Sequence, residues 1–475
     1  MKRQFLAVLI ATATYLSSEP SHAASTLDGT SMGWPWTLPF IGILLSIANG
    51  PLLFPRIWHS HYGKIALGWG ILTVTPLAIF YGVPAALSVF VHTTLVEYIS
   101  FILLLFALYT VAGGILITGS IHASPLNNTG MLALGTSVAS LVGTTGAAMI
   151  LIRPLIRANE GRKHNAHVFV FFIILVANIG GALTPLGDPP LFIGFLRGIE
   201  FLWTAQHLWL QTVIVAVLVL AIFFPLDLWH FRNEAVTRRT ISTEPLRLRG
   251  LINFLLLSII IAAILTSATW KPGIVFDVYG TKLELQKLLR DSILILVALA
   301  SLWLTPDEHR TANGFGWEPI REVAILFAGI FVAIIPVMAM LRAGSEGTFA
   351  FLLQAVTTRD GRAHEAAYFW LTGGLSAFLD NAPTYLVFFE LAGGDAEQLM
   401  RPLAGTLASI SMGAVYMGAL TYIGNAPNFM VYAIAEERGV RMPNFFSYML
   451  WSSIILIPLF VLLTLLPVAP ILQLR

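Results

Sequence analysis

The chain has 475 residues, 57% of them hydrophobic and only 11% charged, against roughly a quarter charged in an ordinary soluble domain. Its 27 basic and 25 acidic residues leave a formal charge of +2, which excludes the basic excess of a nucleic-acid binder and the acidic excess of a solvated tail. It holds no cysteine, which excludes disulfide frameworks, cysteine zinc sites, iron–sulfur clusters and thiol nucleophiles.

The first 23 residues read as a signal peptide, or as a signal anchor if they stay attached. Lys2 and Arg3 precede a short apolar run from Phe5 to Ile10, and Ser21-His22-Ala23 supplies small residues at a cleavage point. A spanning helix needs about 20 apolar residues. That length predicts full spans near 35–55, 64–83, 97–118, 166–196, 206–230, 250–270, 288–305, 320–342, 402–436 and 444–466. Two further apolar stretches, 130–152 and 366–392, carry Gly, Pro or Asp at their centres and read as re-entrant hairpins. Irregular backbone at membrane depth persists only where protein or a water-filled cavity satisfies it. With the mature start outside, 15 Lys and Arg fall on the cytoplasmic side and 10 outside, the sense expected of an inner-membrane protein. The polar segment 231–249 reads as a cytoplasmic connector between a first half, 35–230, and a second, 250–466.

The chain resembles itself at half its length. Gly181 to Phe192 reads GALTPLGDPPLF and Gly418 to Phe429 reads GALTYIGNAPNF, seven identities in twelve at an offset of 237. At that offset the first hairpin tip, Gly143-Thr144-Thr145-Gly146, falls on Asp380-Asn381-Ala382-Pro383. Each half then holds five spans and one hairpin, and an odd number of spans turns the second copy upside down. The expected fold is therefore an all-α polytopic membrane protein of two inverted-topology repeats, each with five spans and one re-entrant hairpin with a broken helix. Secondary transporters use this plan and hold substrate and coupling ions at the breaks.

The breaks carry the chemistry. Asn178, Thr184 and Asp188 stand in the first among Gly and Pro, and Thr421, Asn425 and Asn428 stand in the second, with Asn425 in the place of Asp188. Pro removes backbone donors, so carbonyls are freed, and with the Asp, Asn and Thr oxygens they offer the hard ligands of a small cation. The hairpin tips add Asp380, Asn381 and Thr384 in one half and Thr144 and Thr145 in the other. A carboxylate at membrane depth costs about 2.5–3.5 kcal/mol to insert and marks a functional candidate. Burial favours a protonated carboxyl and a bound cation favours the ionised one, so proton and metal ion compete for one site. If only occupied forms change access, the competition is antiport.

The strings NIGGALTPLGDPP at 178–190 and DNAPT at 380–384 resemble the ion transporter superfamily, in particular its D-type sodium/proton antiporters and arsenite permeases. The resemblance runs over about 35–466. It implies a scaffold domain, a transport domain moving as an elevator, and a homodimer. Family roles carry over to Asp188, Asp380, Asn381, Thr384, Asn178, Thr144 and Asn425. The dicarboxylate and citrate carriers of that superfamily are more distant, because their tips carry a Ser-Asn-Thr string where these read GTTG and DNAPT.

The expected function is sodium or lithium/proton antiport in a bacterial-type inner membrane, with Asp188 and Asp380 as titrating ligands of the transported sodium. The expected partners are the cation, protons, the lipid bilayer and a second copy, with no cofactor and no nucleic acid. A carrier of arsenite or citrate is the alternative reading. A membrane enzyme is the other class considered: His364-Glu365-Ala366-Ala367-Tyr368 begins like a zinc-protease helix but has tyrosine at the second histidine position. Glu97, Glu322, Arg321, Asp291, Arg153 and Glu390 lie near span ends and read as interfacial charges, with Glu97 and Glu322 the exceptions to watch because each begins a span in an otherwise apolar context.

Overall fold

The computed structural model describes residues 27–119, 121–234 and 245–465. The signal-peptide reading and the centre of the connector lie outside these described residues. The chain is mostly helical, and its principal helices are α1 (Leu38–Leu53), α2 (Pro55–Tyr81), α3 (Val83–Ala112), α4 (Pro125–Val142), α5 (Thr144–Asn159), α6 (Ala166–Leu175), α7 (Pro189–Leu196) and α8 (Trp203–Asn233). There follow α9 (Ile252–Thr269), α10 (Leu285–Leu304), α11 (Glu318–Ala333), α12 (Ile335–Arg342), α13 (Glu365–Ser376), α14 (Asn381–Leu391), α15 (Ala404–Met417), α16 (Ala426–Glu437) and α17 (Phe445–Leu465).

Among the described residues, α2, α3, α8, α9 and α17 are each long and apolar enough to cross a membrane, and α11 and α12, bent by 41° at their junction, reach that length together as one broken span or a re-entrant loop. The sequence predicted ten. The difference has local causes: α1 has only 16 residues, α10 carries Lys287, Arg290 and Asp291, and the stretches 166–196 and 402–436 are each broken in two. Two boundaries also move. Residues 56–64, expected as a loop, form the start of α2, and α3 begins at Val83 rather than near 97, where Gly82 in the left-handed region and Pro84 at the first turn open a new helix. The all-α expectation is amended by two small antiparallel ribbons. Leu116–Thr118 pairs with Arg247–Arg249, tying the end of the connector to the first half, and Val275–Val278 pairs with Thr281–Glu284.

The two expected hairpins are helix–turn–helix units, α4–α5 and α13–α14. The first turns on the single residue Gly143, whose φ of 82° suits glycine. At each break the chain leaves one short helix and starts another. α6 reads AHVFVFFIIL, apolar all round, and its residues from His167 to Leu175 are buried, as befits a helix enclosed by others. At 1.5 Å per residue its ten residues span about 15 Å, half a bilayer core.

Local structure recurs 237 residues apart. α5 and α14 start at equivalent positions, Thr144 and Asn381, and so do α7 and α16, at Pro189 and Ala426. Thr184 Oγ1 donates to the Ser140 carbonyl, and Thr421 Oγ1 donates to the equivalent Ala377 carbonyl at 2.5 Å. Within each break the backbone folds onto itself. A Cβ on Gly187 would strike the Gly181 carbonyl, and one on Gly424 would lie 2.6 Å from the Gly418 oxygen and 2.8 Å from that of Ser376.

The base of the first hairpin is fixed by a buried polar cluster that no sequence pattern announced. Asp227 on α8 pairs with Arg162 at 2.5 Å and with His167 Nε2 at 2.8 Å, and accepts from Asn128 Nδ2 of α4 at 2.9 Å. Asn128 and Asn159 also exchange amide hydrogen bonds. Both arms of the hairpin, α6 and α8 are thereby joined by side chains that are each almost wholly buried.

The glycine approach generates a prediction. Gly424→Ala sets a methyl group against two immobile carbonyls and should destabilise the protein by about 1–3 kcal/mol, read as a lower midpoint in thermal unfolding of the detergent-purified chain. Gly374→Ala, inside α13 and with nothing within 4 Å of its Cβ, should hold the midpoint or raise it slightly.

Candidate functional site

The breaks and hairpin tips meet at the carboxylate of Asp188. In Asp188-Pro189-Pro190 the first Pro occupies the first helical position, so Asp188 stays extended as the N-cap of α7. Its side chain, in a residue only 1% exposed, therefore turns to what surrounds the helix start. Oδ1 accepts from Asn425 Nδ2 at 2.9 Å and from Thr144 Oγ1 at 3.1 Å, and Oδ2 accepts from Asn381 Nδ2 at 2.5 Å. All three donors are neutral. They come from the first tip, the second tip and the second break, so both halves of the chain converge on one acid.

Asp380 stands beside this cluster as the N-cap of α14, accepting from the Ala382 amide at 3.0 Å. It lines, with Thr144, Thr145, Asp188 and Asn425, a cavity of about 90 Å³ that has room for several waters. The rest of the wall is largely apolar, with Leu104, Leu108, Val142, Phe192 and Phe327, and the N-terminal turn of α11 closes one flank through Pro319, Ile320 and Val323. Among the described residues that line it there is no Lys, Arg or His.

Four helices begin here: α5 at Thr144, α7 after Asp188, α14 after Asp380 and α16 after Asn425. Each N-terminus presents roughly half a positive charge, so four of them offset about two carboxylates. The anion that such ends attract is already present as Asp188 and Asp380. Two acceptors are left over. Asn381 Oδ1 and Asn425 Oδ1 are buried and have no hydrogen-bond partner among the described residues, which is a debt a proton donor or a cation settles. Among the described residues no group of three or more His, Asp or Glu is arranged to hold a metal ion; the oxygens available are two carboxylates, amides and hydroxyls.

The predicted site residues divide into three groups. Asp188, Asn381, Asn425 and Thr144 are joined by hydrogen bonds, and Asp380 and Thr145 share their cavity. Asn178 stands behind them, donating to Asn428 Oδ1 at 2.7 Å and to the Ile173 carbonyl at 2.8 Å, and accepting from Asn425 at 3.4 Å. Thr184, Thr421 and Thr384 do not reach the cavity. The hydroxyls of the first two go to hairpin carbonyls, and that of Thr384 goes back to the Asp380 carbonyl at 2.9 Å. Asn428, which the second break presents one residue beyond its Pro, joins Asn178 in this rear layer and donates to the Gly418 and Thr421 carbonyls; it mirrors nothing in the first break, where Leu191 stands. His364, start of the zinc-protease-like string, serves as a helix cap accepting from the Ala367 amide at 3.0 Å.

Comparison with known proteins comes to the same region of the chain. Residues 29–468 match the family described as "Putative citrate transport". An uncharacterized transporter of Mycobacterium tuberculosis is 25% identical over 333 residues, covering 67% of this chain and 71% of the relative. A 46 kDa membrane protein of Mycobacterium leprae is 26% identical over 330 residues, with the same coverage.

If Thr184 and Thr421 are tethers, losing either hydroxyl should destabilise the fold while sparing the cavity. Thr184→Val and Thr421→Val should each cost about 1–3 kcal/mol, the penalty of a buried group left without its partner. Thr145→Val should cost nothing measurable in the same thermal unfolding assay.

Proposed function

The chain belongs to the citrate transport family that its residues 29–468 match, and from that premise we propose that this multi-pass membrane protein is a secondary antiporter exchanging sodium or lithium for protons. The carrying observation is the buried Asp188 carboxylate with three neutral donors and no cationic partner, next to two amide oxygens that lack donors. An acid so placed accepts a proton or a small cation, and each excludes the other. Asp380 on the same cavity wall supplies the second carboxylate.

The likeness of 178–190 and 380–384 to the D-type antiporters and arsenite permeases supports this finer assignment. The recurrence of helix starts and of the threonine tethers at one offset supports two repeats, 35–230 and 250–466, inverted in the bacterial inner membrane. In this reading α7, α14, α16 and their neighbours move as a transport domain against a scaffold that includes α3, α11 and α12, within a homodimer.

The family description favours a second reading, a carrier of citrate or another carboxylate. Against it stands the charge of the site, where a carboxylate substrate would meet two acids and no basic side chain in the described wall, and like charges in a low-dielectric interior repel strongly.

Everted membrane vesicles with a pH-sensitive dye separate the two. Addition of sodium or lithium should dissipate an established proton gradient, and Asp188→Asn or Asp380→Asn should each reduce that response to the level of vesicles lacking the protein. No response to any monovalent cation, together with uptake of labelled citrate, would establish the carboxylate carrier instead.

A further inference from the structure

The two helices that present the acids carry opposite charges at their far ends. α7 starts after Asp188 and is capped at its C-terminus by Arg197; α14 starts after Asp380 and bears Glu390 one residue from its end. Arg197 Nη2 lies 2.9 Å from Glu97 Oε1 and its Nη1 lies 3.4 Å from Glu390 Oε2, while Arg342 Nε meets Glu390 Oε1 at 2.5 Å. Glu97 belongs to α3, in a π-helical stretch from Thr93 to Tyr98, a rare irregularity that recurs at functional positions. Arg342 ends α12. The chain of charges thus runs from α3 through α7 and α14 to α12. It crosses twice between the helices that hold the site and the helices that flank them.

At 1.5 Å per residue, α7 and α14 hold this chain about 12–16 Å from the two aspartates. The cavity lies at the N-terminal ends of the two helices, against α3 and α11, and the ion pairs lie at the opposite ends. Three of the four side chains are mostly shielded, Arg197 at 17%, Glu97 at 15% and Glu390 at 5% exposure, with Arg342 half open to solvent. We propose that Glu97, Arg197, Glu390 and Arg342 form a latch that closes the face opposite the cavity and must open for the site to gain access to that face. The inference rests on the alternating-access reading above but not on which ion is carried.

The natural chain has no cysteine, so Thr145→Cys puts a single reporter on the cavity wall. In sealed vesicles of both orientations, a membrane-impermeant maleimide should label this variant faster from one face. Adding Glu97→Gln, which removes one partly shielded ion pair, or Arg197→Gln, which removes two, should raise labelling from the slow face by about threefold or more. Arg197→Lys should return it toward the parent value. Arg342→Gln reads the same equilibrium from the other end of the chain of charges, should Arg197→Gln fail to fold. Labelling unchanged from both faces in every folded variant overturns the latch. A shift in labelling without any proton response to cations keeps the latch and removes the antiport reading.

Discussion

The carboxylate of Asp188 accepts from Thr144, Asn381 and Asn425, and those residues stand 44, 193 and 237 positions away in the chain. A buried acid with neutral partners persists only if every donor is held in place. The remaining architecture can be understood as the holding. Threonine hydroxyls fasten each break to its own hairpin, glycines let the backbone of each break close on itself, and Asn178 and Asn428 join one break to the other. Farther out, Asp227, Arg162 and His167 fix the base of the first hairpin.

The two halves are alike in backbone and unlike in charge. The helix caps Gly143 and Asp380 correspond, as do Asp188 and Asn425, so each half gives one acid, at non-equivalent positions. A fully symmetric pair of breaks would place two carboxylates at the point where Asn425 now donates to Asp188. The amide replaces a repulsion with a hydrogen bond.

Much of this was readable from residue order. Asp-Pro-Pro and Asn-Ala-Pro mark helix starts because Pro lacks a donor, and the acid or amide before it becomes the cap; this is how Asp188 and Asn425 could be named. Hairpin tips followed from Gly and Asp at the centre of apolar runs. Other features were hidden for physical reasons. A hydroxyl serves a carbonyl or a cation equally well, so Thr184 and Thr421 were expected at the cavity and are found tying backbone. Glu390 looked like an interfacial charge, and the partner of Glu97 could not be named, because Arg197, which pairs with both, lies 193 and 100 residues away in the chain. Asp227 lies in an otherwise ordinary apolar helix, and its partners Asn128, Arg162 and His167 come from separate elements.

The far-end charges have an electrical consequence. Two guanidinium groups and two carboxylates sum to zero, so a transmembrane potential, worth about 2.3 kcal/mol per elementary charge per 100 mV, does little work on them as a group. In the proposed exchange, voltage acts instead on the charge carried beside Asp188 and Asp380. The response to membrane potential in that exchange is therefore set chiefly by what occupies the centre, and little of it comes from these four charges.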